Sequence, residues 1–200
     1  MRKRIWLQLP VQIVALSVAA QVALGGTLAG EIKLKGKRAA GDAVVYLEGA
    51  LDGKRFSPPA NPVIMDQRDL VFVPHVLPVV VGTTVEFPNN DDIRHNVYSP
   101  SPVKRLNLGT YPPKTTKKVI FDKPGVVKLL CNVHDEMLAF ILVLENPYYA
   151  PTDGSGHFTI SGVPPGRYRA KVWHEKFTAP AKTVEVTESG LTPADFQLGP

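Results

Sequence analysis

Residues 125–144 read GVVKLLCNVHDEMLAFILVL, and the fold turns on how that stretch is divided. Two apolar runs, 125–130 and 138–144, flank the seven residues CNVHDEM. Each run has the length and the valine and isoleucine content of a strand. Cys131, His134 and Met137 therefore share one tight loop joining two strands.

Working outward, the same kind of segment recurs. GEIKLKGK (30–37) alternates, and DAVVYLEG (42–49) follows a turn at Gly41 and Asp42. VIMDQ (63–67) precedes the long run 70–87, which Pro74, Pro78 and Gly82 divide. HNVYS (95–99), TKKVIF (116–121), HFTISG (157–162), RYRAKVWHE (167–175) and AKTVEVTE (181–188) complete the set. Residues 50–62, 88–94 and 99–114 read as loops. With 19 prolines and 16 glycines punctuating short apolar runs, the chain is expected to be all-β. About ten such strands are enough for a Greek-key sandwich and something more.

The N-terminus has the form of an export signal. MRKR supplies positive charge, and no charged residue follows until Glu31. Small residues at Ala20 and Ala29 offer cleavage sites, and residues 1–29 are taken as the leader. The uncharged run 5–30 is also long enough to span a bilayer, so membrane attachment follows only if it stays uncleaved. The expected location is the periplasm, with attachment to the inner membrane facing the periplasm as the alternative. Loss of Arg2, Lys3 and Arg4 leaves 20 basic against 18 acidic residues, a net charge of +2 in place of +5. That balance gives no case for nucleic acid. The basic cluster KTTKK (114–118) reads as a solvated strand edge.

Cys131 is the only cysteine, so the chain has no internal disulfide. An exposed free thiol oxidises outside the cell, so Cys131 is either buried or ligated. Ligation also explains His134 and Met137. His95 opens HNVYS directly after the loop 88–94, and a β-sandwich gathers its loops at its ends. A thiolate, two imidazoles and a thioether form a soft donor set. Zinc sites use Cys, His and carboxylates, whereas two His, one Cys and a long axial Met make the blue-copper arrangement.

Residues 62–146 resemble the cupredoxins, the plastocyanin-like blue copper proteins. The resemblance rests on LVFVPHVLPVVVGTTVEFPNNDDIRHNV (70–97) and on the ligand loop. Asn89 and Asn90 precede His95 as in plastocyanins, and C-x-x-H-x-x-M is similar to the short loop of amicyanins. The resemblance implies one type 1 copper held by His95, Cys131, His134 and Met137. It implies that the Asn96 N–H bonds the Cys131 sulfur and that electrons leave through His134. It further implies single-electron transfer with redox partners such as a cytochrome c or a periplasmic oxidoreductase. Copper binding or delivery without redox turnover is the alternative function. Val133 stands where relatives have Pro, and Asp135 and Glu136 follow His134 where relatives expose an apolar patch. Those two carboxylates leave the axial ligand open between them and Met137. The longer pattern, including VPPGRYRAKVWHE (163–175), resembles bacterial chains labelled methylamine utilization proteins.

No enzymatic activity is expected. Five histidines are too few for the additional coppers of a multicopper enzyme. A Cys131–His134 hydrolase lacks a third residue to orient the base. His75 is expected to brace a loop rather than reach a second metal, His157 to be exposed on a turn, and His174 to pair with Glu175 or cap a strand end, with a secondary metal site as its alternative. Finally, TDGSGHFTISGVPPGRYRAKVW (152–173) resembles the second half of a carboxypeptidase regulatory-like, transthyretin-like module. Its first half fits GEIKLKGKRAAGDAVVYLEG (30–49). The expected organisation is thus a second β-module, 30–60 and 148–200, split around a Greek-key cupredoxin sandwich at 62–146.

Overall fold

Alternation of apolar and polar residues organises nearly every segment of the computed structural model, which describes residues 25–35, 40–49, 51 and 53–200. Strands β1 (Gly26–Leu34) and β2 (Val44–Glu48) come first. β3 (Val63–Ile64), β4 (Asp66–Arg68), β5 (Val71–Val73), β6 (Val76–Val80) and β7 (Thr83–Pro88) follow. The middle continues with β8 (His95–Ser99), β9 (Leu106–Tyr111), β10 (Thr116–Phe121), β11 (Gly125–Leu130) and β12 (Leu138–Leu144). β13 (Tyr149–Pro151), β14 (His157–Val163), β15 (Gly166–Trp173), β16 (Lys182–Val186), β17 (Leu191–Pro193) and β18 (Phe196–Leu198) close the chain. The fold is all-β, with no helix among the described residues.

Two large apolar clusters divide these strands. The sheet β10-β7-β3 and the sheet β6-β12-β11-β8-β9 bury Val85, Phe87, Val97, Phe121, Val127, Leu129 and Ile141 together. In the second sheet β12 runs antiparallel to β11 and parallel to β6, so distant segments lie side by side. The hairpin β4-β5 lies off these sheets. The other cluster joins the two ends of the chain. Strands β14, β17 and β18 pair with β1, and β13-β2-β15-β16 form the facing sheet. Leu28, Ile32, Leu47, Ile160, Tyr168, Phe196 and Leu198 are buried between them. A third, small cluster joins the two halves through Val44, Val76 and Leu142, with Phe140 and Trp173 packed against it.

Three expectations change. Residues 99–114 are not all loop, because β9 occupies Leu106–Tyr111 and forms the edge beside β8. Gly26–Ala29, assigned to the leader, belong to β1, so the expected boundary at residue 29 falls inside a strand. Leu28 sits at 0% exposure in the terminal core. Residues 1–24, which carry the rest of that segment, lie outside the described residues. Among the described residues no helix is long and apolar enough to cross a membrane. Lastly, three short strands near the C-terminus (β13, β17 and β18) carry no readable period in the sequence. Residues 116–118 of the basic segment KTTKK lie on an edge strand, β10, where Lys118 meets Glu86 at 2.6 Å.

Gly156 shows how closely the two chain ends approach. Its φ is +83°, its carbonyl accepts from the Ile32 N–H at 2.8 Å, and a Cβ would sit 2.5 Å from the Ile32 oxygen. Only glycine fits a left-handed position so near another backbone.

Because Leu28 is fully buried in β1, Leu28→Ala is expected to cost about 2–5 kcal/mol of stability. Urea unfolding measures this. A loss under about 0.5 kcal/mol, the size of a surface substitution, would show that β1 does not start before the expected boundary.

Candidate metal centre

Register carries the key side chains inward. On β11 Val127 and Leu129 face the core, and the same alternation turns Cys131 inward, at 4% exposure. On β12 Ala139, Ile141 and Val143 face the core, so Met137, two residues before Ala139, is buried as well. Leu130 lies opposite Leu138, which sets Cys131 and Met137 at the mouth of one hairpin. Leu130 also lies opposite Tyr98 of the antiparallel β8. The start of β8 is thereby carried past the end of β11, bringing His95 to the hairpin loop.

His95, Cys131 and His134 come together. One potential donor atom from each lies within 4.8 Å of the other two, and among the described residues this is the only such group. The His134 and His95 Nδ1 atoms are 3.2 Å apart, with ring centroids at 4.9 Å. His95 is completely buried, while His134 keeps partial contact with solvent. Met137 is fully buried in the same apolar cluster as Cys131, and its N–H bonds the His134 carbonyl at 3.1 Å. Asp135 and Glu136 are exposed and stand outside the His–Cys–His group.

The hydrogen bonds around His95 define its chemistry. Nε2 lies 2.7 Å from Asp91 Oδ2. The same carboxylate accepts the N–H groups of Asp69 at 2.7 Å and Leu70 at 3.0 Å. Burial pushes the Asp91 carboxyl up, but the bonds from Leu70, His95 and Asp69 outweigh it and hold the group below the usual range. An ionised carboxylate only accepts, so Nε2 carries the proton and donates. The lone pair of His95 is then on Nδ1, aimed at His134. Two imidazole nitrogens facing each other across a short gap beside a thiol can share one cation, as they can share one proton. A carboxylate behind the ligating imidazole is the usual support in such sites.

Asp91 escaped the sequence reading, although it lies in the loop directly before His95. Asn89, fully buried, fixes that loop. It donates to the carbonyls of Ile93 at 2.8 Å and Tyr111 at 3.3 Å, and its Oδ1 accepts the Asp91 N–H at 3.1 Å. Tyr111, opposite His95 on β9, donates its hydroxyl proton to Phe87 O at 3.0 Å and accepts from Gln67. Burial pushes the Tyr111 hydroxyl up to about 12, against the opposing Gln67 bond.

Among the described residues the Val133 N–H bonds the Cys131 sulfur at 3.4 Å. The Asn96 side chain donates to Asn132 Oδ1 at 3.0 Å, tying β8 to the ligand loop. Its own Oδ1 is buried without a partner. The remaining histidines lie apart. His75 Nδ1 meets Leu138 O at 3.1 Å, and His75 Nε2 meets Glu175 Oε2 at 3.4 Å. Glu175 thus pairs with His75, and His174 Nδ1 accepts the Lys176 N–H at 3.0 Å. His157 is exposed beside Asp153.

Comparison with known proteins adds the following. The methylamine utilization protein MauL of Methylorubrum extorquens is 36% identical over 55 residues, covering 27% of this chain and 48% of that protein. The chain thus matches about half the length of this curated relative. Among solved structures, a purple cupredoxin from Nitrosopumilus maritimus is similar at 21% identity, over 41% of this chain and 99% of that one, with a TM-score of 0.39. Amicyanin from Paracoccus versutus is similar at 17% identity, over 44% and 92%, with a TM-score of 0.39. A copper-containing nitrite reductase from Thermus scotoductus is similar at 28% identity, over 49% and 25%, with a TM-score of 0.41. A domain family described as polysaccharide lyase family 4, domain II, matches residues 143–194. That description differs from the carboxypeptidase regulatory-like module expected for 148–200.

If Asp91 orients His95 for a metal, Asp91→Ala is expected to weaken copper affinity roughly 10–100-fold, as loss of such supports does elsewhere. Competition titration against a chelator of known affinity measures it. Unchanged affinity in a folded variant would remove Asp91 from the site.

Proposed function

We propose that this chain is a cupredoxin-type carrier of single electrons, holding one copper through His95, Cys131, His134 and Met137. The observation that carries this reading is the gathering of His95, Cys131 and His134 within 4.8 Å at the closed end of a sandwich. Bound copper would supply reversible exchange between Cu(I) and Cu(II). The protein's part is to keep the donors in place during that exchange. Cys131 and His95 are buried, so water is excluded from their side of the site. The Asp91 carboxylate keeps the His95 proton on Nε2 and leaves Nδ1 free to bind. The Val133 N–H rests on the sulfur, and such a bond tunes the potential of a copper thiolate. His134 has the solvent-facing edge and is the exit for an electron toward a partner. Val133 next to it is exposed, with Asp135 and Glu136 alongside, so a partner would meet an apolar contact with an acidic border.

In the same reading the protein is exported to the periplasm and meets soluble redox proteins there. Cleavage near Ala20 rather than Ala29 agrees with β1 starting at Gly26. We further read the chain as a copper domain at 62–146 inserted into a terminal β-module. The two separate apolar cores support that division. The buried cysteine favours carriage over copper delivery, because a donor group enclosed in a packed core exchanges its metal slowly.

Addition of Cu(II) to the purified protein is expected to give an intense blue, stoichiometric complex that cycles reversibly on an electrode. Cys131→Ser is expected to abolish the colour. Colourless, readily exchanged Cu(I) binding would overturn the carrier reading in favour of delivery.

A further inference from the structure

The ligand loop is held little by its own bonds. Asn132, Val133, Asp135 and Glu136 are all exposed. Within the loop the contacts are Val133 N–H to Cys131 and Met137 N–H to the His134 carbonyl. The loop's downstream end, by contrast, is gripped from outside the copper sandwich's core. His75 lies between β5 and β6, and its Nδ1 is 3.1 Å from the carbonyl of Leu138, the residue after Met137. A carbonyl only accepts, so Nδ1 carries the proton and donates. The His75 carbonyl in turn accepts the Phe140 N–H at 2.9 Å. One residue thus fixes the first three residues of β12 at two points.

The other edge of the His75 ring reaches the terminal strands. Nε2 faces Glu175 Oε2 at 3.4 Å, just past the end of β15, and the two form an ion pair when both ring nitrogens carry a proton. The Glu175 side chain is only 15% exposed, and Lys176 Nζ holds its second oxygen at 3.0 Å. The His75 ring also stands edge-on to Phe140, with centroids 5.7 Å apart, and Phe140 packs on Trp173 at 5.1 Å. Trp173 ends β15, so the path from β15 returns to β12 twice: through Glu175 and His75, and through Trp173 and Phe140.

We propose that the terminal β-module positions the metal-binding loop through the chain Glu175–His75–Leu138, with His75 as a positioning residue for Met137 and His134. The proposal rests on the copper reading for its functional consequence. Its structural content, a loop clamped from the second module, stands apart from that reading. The second module is then part of the site's support rather than an appendage. Strain or partner binding on β15 would be felt at the loop that carries three of the four donors.

The test uses the full chain with Glu175→Ala and His75→Leu, and with Glu175→Gln and His75→Asn as conservative variants. Glu175→Gln keeps a hydrogen-bonding side chain, and His75→Asn keeps a donor toward Leu138 O. Glu185→Ala, on the exposed side of β16, serves as the control. In the metal-free protein, hydrogen exchange of amides 133–138 is expected to speed up about tenfold or more in Glu175→Ala and His75→Leu, as for loss of a hydrogen bond to a charged group. Glu175→Gln and Glu185→Ala are expected to stay near the parent, and His75→Asn, which keeps the donor to Leu138 O but loses the reach to Glu175, to fall between the parent and His75→Leu. In the copper-loaded protein, the same two disruptive variants are expected to keep full copper content while shifting the EPR signature and the potential. Unchanged exchange in a folded Glu175→Ala chain overturns the clamp whatever the metal does. A parent protein that forms no coloured complex overturns the copper reading, and the exchange data still decide the clamp. If His75→Leu does not fold, Glu175→Ala and Glu175→Gln carry the test.

Discussion

Leu130 lies opposite Leu138 across the β11–β12 ladder and opposite Tyr98 of β8. This register places every donor. A strand shows alternate residues to alternate faces, so a slip of one residue would turn Cys131 to solvent and Met137 with it. The register is secured by the apolar faces on both sides of the hairpin: Val127 and Leu129 on one strand, Ala139, Ile141 and Val143 on the other. The core thus does two jobs with one pattern. It stabilises the sandwich, and it turns a thiol and a thioether inward at the mouth of one hairpin. His95 reaches that point because β8 is antiparallel to β11 and begins where β11 ends.

Around this register sits a layer of polar contacts that orients rather than stabilises. Asp91 gathers two N–H groups from the β4–β5 turn and one from His95, so the hairpin and the histidine are fixed by the same carboxylate. The turn residues Asp69 and Leu70 both have positive φ, at 53° and 60°. A non-glycine pair in that region is held by its surroundings, and here their N–H groups end on Asp91. On the opposite side His75 closes a similar bridge between Leu138 and Glu175. The loop that carries Cys131, His134 and Met137 is thus braced from both flanks, one brace internal to the sandwich and one from the terminal strands.

Much of this was legible in the sequence because it depends on local period. The strand–loop–strand division of 125–144 follows from two apolar runs, and the position of His95 follows from the loop before it. Strand β9 was hidden because it is a sheet edge. Leu106 and Leu108 are half-buried while Asn107 and Thr110 face water, so the segment reads as polar. The start of β1 was hidden for the opposite reason. Residues 26–29 continue the uncharged composition of the leader, and nothing in their type separates strand from signal. Asp91 looked like a solvated loop acid, since its partners Asp69 and Leu70 come from a hairpin more than one strand away. The His75–Glu175 pair has no local signal at all, because only the docking of β15 against β12 brings it together.

The central claim is that sulfur and two imidazole nitrogens bind one copper. X-ray absorption at the copper edge of the loaded protein counts those donors directly. The account predicts a single short copper–sulfur distance together with two nitrogen scatterers showing imidazole multiple scattering, and loss of the short sulfur shell in Cys131→Ser. A first shell made only of oxygen and nitrogen in the unmutated protein would contradict it.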